Sequence, residues 1–249
     1  MNAYAELARS YDRLTNDVDY QAVVAFYQEI LKKEKLNPRT AVDLACGTGS
    51  VALLLAKAGM DVMGVDMSAE MLCVASQKAG VQELPIQFVC QKLQDLAMPR
   101  GVDLAVCALD SLNYILDPAD CQEALRRIYR ALNPGGCFIF DVNTPQKLQA
   151  MDDQVFLDED DDVYCVWRGE FDRQTNICTY GMDLFQRCGN VWNRSFEEHQ
   201  EYAYTEAELR QYLKNAGFTH IQVYSDRTFE KPAEDTQRIY FKCRKGKIK

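Results

Sequence analysis

Apolar positions along this chain recur with two periods that take turns. From Ala22 through Tyr27 to Ile30 and Leu31 they follow the helical period, with Asp19 or Thr15 placed to cap the helix and Asn37-Pro38 to break it. From Thr40 onward, short apolar runs alternate with helical ones. Ala41–Leu44, Val62–Asp66, Ile86–Val89, Val102–Cys107 and Cys137–Val142 read as buried strands. Helices are predicted over Val51–Ala58, ended by Gly59, from Ser68-Ala69 to about Ala79, and over Pro118–Leu132, stopped by Asn133-Pro134-Gly135-Gly136. Strands separated by helices of this length predict a parallel sheet with right-handed crossovers.

After Asn143 the pattern changes. The acidic run Leu157-Asp158-Glu159-Asp160-Asp161-Asp162 reads as a solvated loop. Strand-like stretches follow near Val163–Phe171, Ile177–Arg187 and Val191–Tyr204, divided by turn residues at Arg173-Gln174-Thr175-Asn176 and Gly189-Asn190, which predicts an antiparallel meander. A helix from about Glu206 to Ala216, ended by Gly217, and strands at Thr219–Ser225 and Gln237–Cys243 complete the chain. The expected architecture is α/β: a Rossmann-like, doubly wound, mostly parallel seven-stranded sheet with an antiparallel β insertion and N-terminal helices. Its expected divisions are an N-terminal helical lid (1–36), a cofactor-binding domain (37–145 and 205–249) and an insertion (146–204) covering the acceptor side.

Composition narrows the partners. The 249 residues are 47% hydrophobic, enough for one large α/β domain with a sizeable core. A formal charge of -9 is the wrong sign for gripping a phosphate backbone, so nucleic acid is not the expected partner. None of the ten cysteines forms a C-x-x-C pair, and most sit in apolar runs such as Val106-Cys107-Ala108; small buried hydrophobes in a reducing cytoplasm are expected, and no metal. The N-terminus carries no signal-peptide pattern, and no apolar run approaches the ~18 residues of a membrane span.

The chemistry concentrates at the turn after the first strand, Asp43-Leu44-Ala45-Cys46-Gly47-Thr48-Gly49. Small residues at Ala45, Gly47 and Gly49 let backbone N–H groups approach a ligand, and ligands of open α/β sheets lie beyond the carboxyl ends of the strands. Asp66 ends the second strand, 23 residues after Asp43, where a carboxylate can accept hydrogen bonds from ribose hydroxyls. Gly47-Thr48-Gly49-Ser50-Val51-Ala52 also fits G-x-G-x-x-[GA], so the glycines alone admit a nicotinamide dinucleotide. Asp43 favours a ligand with a free amino group over a pyrophosphate. S-adenosylmethionine has that amine and no phosphate.

Asp43–Gly49, together with Val65-Asp66-Met67-Ser68-Ala69-Glu70-Met71-Leu72, closely resembles the class I S-adenosylmethionine-dependent methyltransferases. Leu109-Asp110-Ser111-Leu112-Asn113-Tyr114, Asn133–Gly136 and Phe138–Asn143 fit the same family. Tyr4, Tyr11-Asp12 and Asp17–Tyr20, with Glu198-His199 and Tyr202-Ala203-Tyr204, resemble a bacterial small-molecule branch carrying a β insertion. The resemblance implies that Asp43 and the backbone of Ala45, Cys46, Gly47 and Gly49 surround the methionine end of the cofactor. It implies Asp66 on the ribose, Met67 and Met71 bordering the adenine, Leu109 and Asp110 near the methyl group, and Tyr11 over the sulfonium, where its ring favours the cation. One position departs from the family: an Asp that contacts the adenine amino group is replaced by Lys92, which accepts no hydrogen bond, leaving Gln91 or backbone near Leu93 for that task.

The expected reaction is in-line methyl transfer to a nitrogen or oxygen of a small-molecule acceptor. Asn113, Tyr114 and His199 are candidates on the acceptor side, and Tyr11 and His199 are the catalytic candidates. His199 also reads as a salt-bridged surface residue, and His220 as structural. Alternatives are a tRNA-modifying methyltransferase, though the Asn/Asp-Pro-Pro-aromatic motif of amino-methylating enzymes is missing at Asp110-Ser111-Leu112-Asn113, an NAD-dependent oxidoreductase, and a cofactor-binding protein without turnover.

Overall fold

The computed structural model describes residues 18–159 and 161–247, so Thr15, Tyr11 and the residues before them lie outside the described part of the chain. Helix α1 spans Tyr20–Lys33 and is capped by Asp19, whose carboxylate accepts the Ala22 N–H at 2.8 Å. The alternating segment follows as β1 (Thr40–Leu44), α2 (Ser50–Lys57), β2 (Asp61–Asp66), α3 (Ala69–Val81), β3 (Gln87–Cys90), β4 (Val102–Cys107), α4 (Pro118–Ala131) and β5 (Leu132–Asn143). Next come α5 (Pro145–Ala150), the strands β6 (Val155–Glu159), β7 (Val163–Asp172), β8 (Ile177–Cys188) and β9 (Val191–Tyr202), then α6 (Glu206–Ala216), β10 (Thr219–Ser225) and β11 (Arg238–Arg244).

Seven strands form one sheet in the order β10-β11-β5-β4-β1-β2-β3. The five from β5 to β3 run parallel, and β11 is antiparallel to both its neighbours. Both faces are covered, which is why the strands read as continuous apolar runs rather than alternating ones. Along β4, Leu104 and Val106 pack with Phe26, Tyr27, Val51 and Ile139 on one side, while Ala105 and Cys107 pack with Leu125, Ile128, Phe138 and Leu209 on the other. Helix α1 is also tied to β11 by charge: Lys242, only 1% exposed, places Nζ 2.6 Å from Glu34 Oε1.

The insertion is a separate antiparallel sheet, β6-β7-β8-β9. It is anchored to the larger sheet by Asn113, in a 3-10 turn at Ser111–Tyr114. The Asn113 side chain donates to the carbonyls of Asn143 (3.2 Å) and Tyr202 (3.0 Å) and accepts the Asn143 N–H (3.1 Å). Nearby, the Tyr204 hydroxyl donates to the Ile115 carbonyl at 2.5 Å.

Three expectations change. Asn133–Gly136 is not a simple helix stop: β5 begins at Leu132, and the register slips between Val102↔Leu132 and Leu104↔Cys137, so Asn133–Gly136 bulges within the strand, with Gly135 at φ +82. The start of the acidic run is not loop: Val155–Glu159 forms an edge strand paired to β7, where acidic side chains blunt an exposed edge. The short helix α5, capped by the Thr144 hydroxyl on the Lys147 N–H, gave too brief a pattern to be read. Of the cysteines, Cys73, Cys90 and Cys188 are exposed and Cys46 is half-buried, while the other six are buried as expected; all ten are free thiols. Among the described residues no helix is long and apolar enough to cross a membrane.

Candidate active site

The glycine turn is shaped by its backbone. Ala45, Gly47 and Gly49 all take positive φ (+52, +51 and +80), so the chain reverses sharply between β1 and α2. A Cβ on Gly47 would meet nothing within 4 Å, so the turn presents open backbone there. A Cβ on Gly49 would sit 3.0 Å from Ala75 Cβ, so this glycine permits close helix packing. Gly64, which the sequence did not single out, supports the turn from below: a Cβ there would lie 2.5 Å from the Phe88 ring and 2.9 Å from Cys46 Sγ.

Asp66 braces the same turn. Its Oδ2 accepts the Gly47 N–H and its Oδ1 the Ser68 N–H, both at 2.8 Å, and each oxygen keeps a lone pair for a further donor. Burial raises its pKa against these N–H contacts. Asp43 is 1% exposed, and its Oδ2 is buried with no hydrogen-bond partner. Burial is the main cause that pushes its pKa up to about 8; the Ala52 N–H opposes the rise and the Asp66 charge adds to it. The hydroxyl of Tyr27, fully buried within the electrostatic reach of Asp43 and Asp141, also lacks a partner. Unsatisfied buried polar groups are costly and uncommon in folded chains. Here the orphaned oxygen lies under a backbone turn that is open at Gly47, which fits a ligand bearing an amino group.

Past β4 the backbone is strained. Leu109 and Asp110 are consecutive non-glycine residues in the left-handed region, with φ +56 and +51, a conformation costing ~1–2 kcal/mol per residue. Asp141, fully buried on β5, holds them there by accepting both N–H groups, from Leu109 at 2.9 Å and from Asp110 at 3.1 Å. Arg238, at the start of β11, pairs with Asp141 and with Asp110, the latter at 2.5 Å. Burial raises the Asp141 pKa while Arg238 opposes it, and the two carboxylates outweigh the desolvation of Arg238, whose pKa rises. Sequence reasoning gave no role to Asp141 or Arg238, because the pair joins residues 97 positions apart through a sheet register that no local motif encodes.

The other predicted residues divide. Met67 is 57% exposed beside Asp66, whereas Met71 is packed in the core at 2%. Lys92 is exposed at the entry to a 3-10 turn, and Leu93 is buried. The Gln91 Oε1 accepts the Ala97 N–H at 3.0 Å, which fixes the orientation of the amide and leaves its oxygen one lone pair. Asn113 is fully buried and its amide is spent on the anchor described above, so it is a structural staple and not a lining residue. Tyr114 packs edge-on against the His199 ring, 6.1 Å between centroids. His199 is not at the surface: it is 3% exposed, with Nε2 3.4 Å from Glu197 Oε2. His220 is exposed at an irregularity of β10.

Known proteins agree with this architecture. A model of the methyltransferase domain matches residues 41–136. A Geobacillus sp. (strain WCH70) protein, assigned by its name to the methyltransferases, is 31% identical over 97% of this chain and 99% of its own. The crystal structure of an S-adenosylmethionine-dependent methyltransferase from Clostridium acetobutylicum ATCC 824 superimposes with a TM-score of 0.89 at 33% identity, covering 98% of this chain and 99% of that one. A demethylmenaquinone methyltransferase from Thermus thermophilus is 33% identical over 53% of this chain and 60% of its own length. The chain belongs to the S-adenosylmethionine-dependent methyltransferases of class I.

Proposed function

We propose that this enzyme methylates a nitrogen or oxygen of a small-molecule acceptor bound between the parallel sheet and the β insertion. The observation that carries the reading is the rigid, strained Leu109-Asp110 turn, locked by Asp141 and Arg238 and roofed by β9 through Asn113. Strain of this kind persists where surrounding structure over-determines it, commonly at functional sites. When bound, S-adenosylmethionine supplies a methyl group already activated on a sulfonium sulfur. The protein then has to bind, align and exclude water. Asp43 receives the amino group on its orphaned Oδ2, and the turn from Ala45 to Gly49 receives the carboxylate end. Asp66 accepts from the ribose with its remaining lone pairs, and the exposed Met67 offers an apolar surface to the adenine. Gln91, whose oxygen keeps one lone pair, or backbone near Leu93 meets the adenine edge. The insertion walls off the acceptor. The partial relative from Thermus thermophilus is named for demethylmenaquinone, which supports an acceptor that is not a nucleic acid.

Methyl-labelled S-adenosylmethionine, offered with a low-molecular-mass metabolite fraction and separately with total tRNA, tests the proposal. Label is expected in the small-molecule fraction. Label confined to RNA overturns it.

A further inference from the structure

Strand β9 has an inverted face. Its buried positions in the second half are Glu197, His199 and Glu201, at 8%, 3% and 3% exposure, where a strand packed on a core would carry apolar residues. Glu197 and His199 pair with each other. Glu201 differs. Its Oε2 accepts the Asn143 amide at 2.9 Å, and among the described residues no hydrogen bond reaches Oε1. The Asn143 Oδ1 in turn accepts Lys147 Nζ at 2.9 Å, which fixes the amide so that its donor side faces Glu201.

The groups facing this carboxylate come from every surrounding element. Asp110 stands on the loop after β4, Asn143 on β5, Lys147 on α5, Tyr180 and Cys178 on β8, and Arg238 on β11; Asp141 on β5 joins them through Arg238 and Lys147, and His199 is the preceding buried position of the same strand. Three carboxylates, Asp110, Asp141 and Glu201, meet two cations, Arg238 and Lys147. Arg238 is already committed to Asp110 and Asp141. Lys147 reaches Glu201 only through Asn143. With all five ionised, the cluster carries one negative charge more than it has positive ones, beside the turn assigned to the methyl group.

Resting on the reading of this cleft as the acceptor site, we infer that the acceptor is a primary or secondary amine that enters as its ammonium ion against Glu201 Oε1, and that Glu201 is the base that removes its proton. An ammonium nitrogen has no lone pair and cannot accept a methyl group. Once one N–H proton passes to Glu201, the freed lone pair forms the N–CH3 bond while the S–CH3 bond breaks, its electrons remaining on sulfur as a thioether. The product leaves as the methylated ammonium ion, and Glu201 returns its proton to solvent. Burial, and then the Asp110 charge, push the Glu201 pKa up to about 8, which narrows the gap to amines at ~10 and makes the proton transfer far less uphill than to an ordinary glutamate. An alcohol is far too weak an acid for the same carboxylate, and neither an alcohol nor a neutral phenol brings the positive charge that the site lacks.

The test uses the full chain with S-adenosylmethionine and a panel of alkyl and aryl amines set against their matched alcohols and phenols, scored by S-adenosylhomocysteine release. Amines are expected to turn over and their hydroxy counterparts not. For the best amine, Glu201→Gln should lower kcat/KM by ~10²–10⁴-fold and abolish the acid limb of the pH profile, with Glu201→Asp restoring part of the rate. Binding of S-adenosylhomocysteine by calorimetry and the melting temperature of Glu201→Gln should match the wild type, which separates lost chemistry from lost folding. Calorimetry of the same amine against the S-adenosylhomocysteine-bound protein should show weaker binding to Glu201→Gln. Turnover of hydroxy compounds alone, a silent amine panel beside intact S-adenosylhomocysteine binding, or full amine turnover by Glu201→Gln overturns the inference. Label transfer to RNA instead defeats the small-molecule reading on which it rests.

Discussion

The glycine turn after β1 and the carboxylate cluster after β4 lie at the same edge of one sheet, yet the chain assembles them by different means. The first is local. Asp43, the glycines and Asp66 fall within two consecutive strands, and the ligand-facing surface is mainly backbone. The second is gathered from β4, β5, β9, α5 and β11, with Arg238 reaching Asp110 across 128 positions. Backbone needs small residues in a fixed order, which leaves a motif. A buried charge network needs only complementary partners wherever the topology delivers them, and it leaves none.

The largest effect should come from cutting the distributed network. Arg238→Met leaves Asp141 buried without its cation, and removing one partner of a buried pair costs ~3–5 kcal/mol. Chemical denaturation should show a loss of that size. Adding Asp141→Asn should recover most of the stability but not methyl transfer, because the amide cannot accept both the Leu109 and Asp110 N–H groups as the carboxylate does. A stability loss below ~1 kcal/mol for the single variant would mean that the turn is held by something else.

The local end should fail differently. Asp43 holds its proton in the folded, cofactor-free chain up to about pH 8, whereas unfolded it ionises near the usual carboxylate value. The folded form therefore binds the extra proton, and this residue's contribution to stability declines as pH climbs through that interval. Pairing with the cofactor's amino group requires the carboxylate, so binding should release a proton and tighten between pH 6 and pH 8. Calorimetry in buffers of different ionisation enthalpy measures that proton. Asp43→Asn should fold normally, lose the proton release and bind S-adenosylhomocysteine ~10–100-fold more weakly, the range for one charge-assisted hydrogen bond. Proton release that persists in the variant would move the role to another group.

The smallest effect is expected at the adenine edge. Lys92 is exposed and its side chain caps nothing, so Lys92→Asp should leave cofactor affinity unchanged or a few-fold tighter. Markedly weaker binding by calorimetry would show that the lysine, rather than an acceptor, serves the cofactor.

The same contrast explains what could be read from the sequence. The order of strands and helices from Thr40 to Asn143 follows from two hydrophobic periods, and its helical and strand boundaries stand within a few residues, apart from the bulged start of β5. The short α5 and the edge strand β6 escaped because six- and five-residue elements carry too little pattern, and β6 is exposed along its whole length. Asp43, Gly47 and Asp66 could be placed together from the sequence because they fall within one turn and the two strands beside it. Asn113 was misread, since a polar residue following a strand looks the same whether it faces a ligand or is consumed by two carbonyls. Glu201 was passed over because neighbouring Glu197, Glu198 and His199 make an acidic strand look like a solvated one, and only its burial distinguishes it.

The Asn113 staple bears on how such an enzyme can change its acceptor over time. It fastens the insertion to the parallel-sheet half of the fold through two carbonyl oxygens, of Asn143 and Tyr202, and backbone carbonyls are present whatever side chains occupy those positions. If the insertion is the acceptor wall, as proposed above, that wall can be rewritten residue by residue along β8 and β9 while its seat on the sheet stays fixed. Replacing Asn113 itself would cut both ties at once. In evolutionary terms, acceptor choice under that reading becomes an exchangeable cassette whose Asn113 seat does not depend on the side chains exchanged.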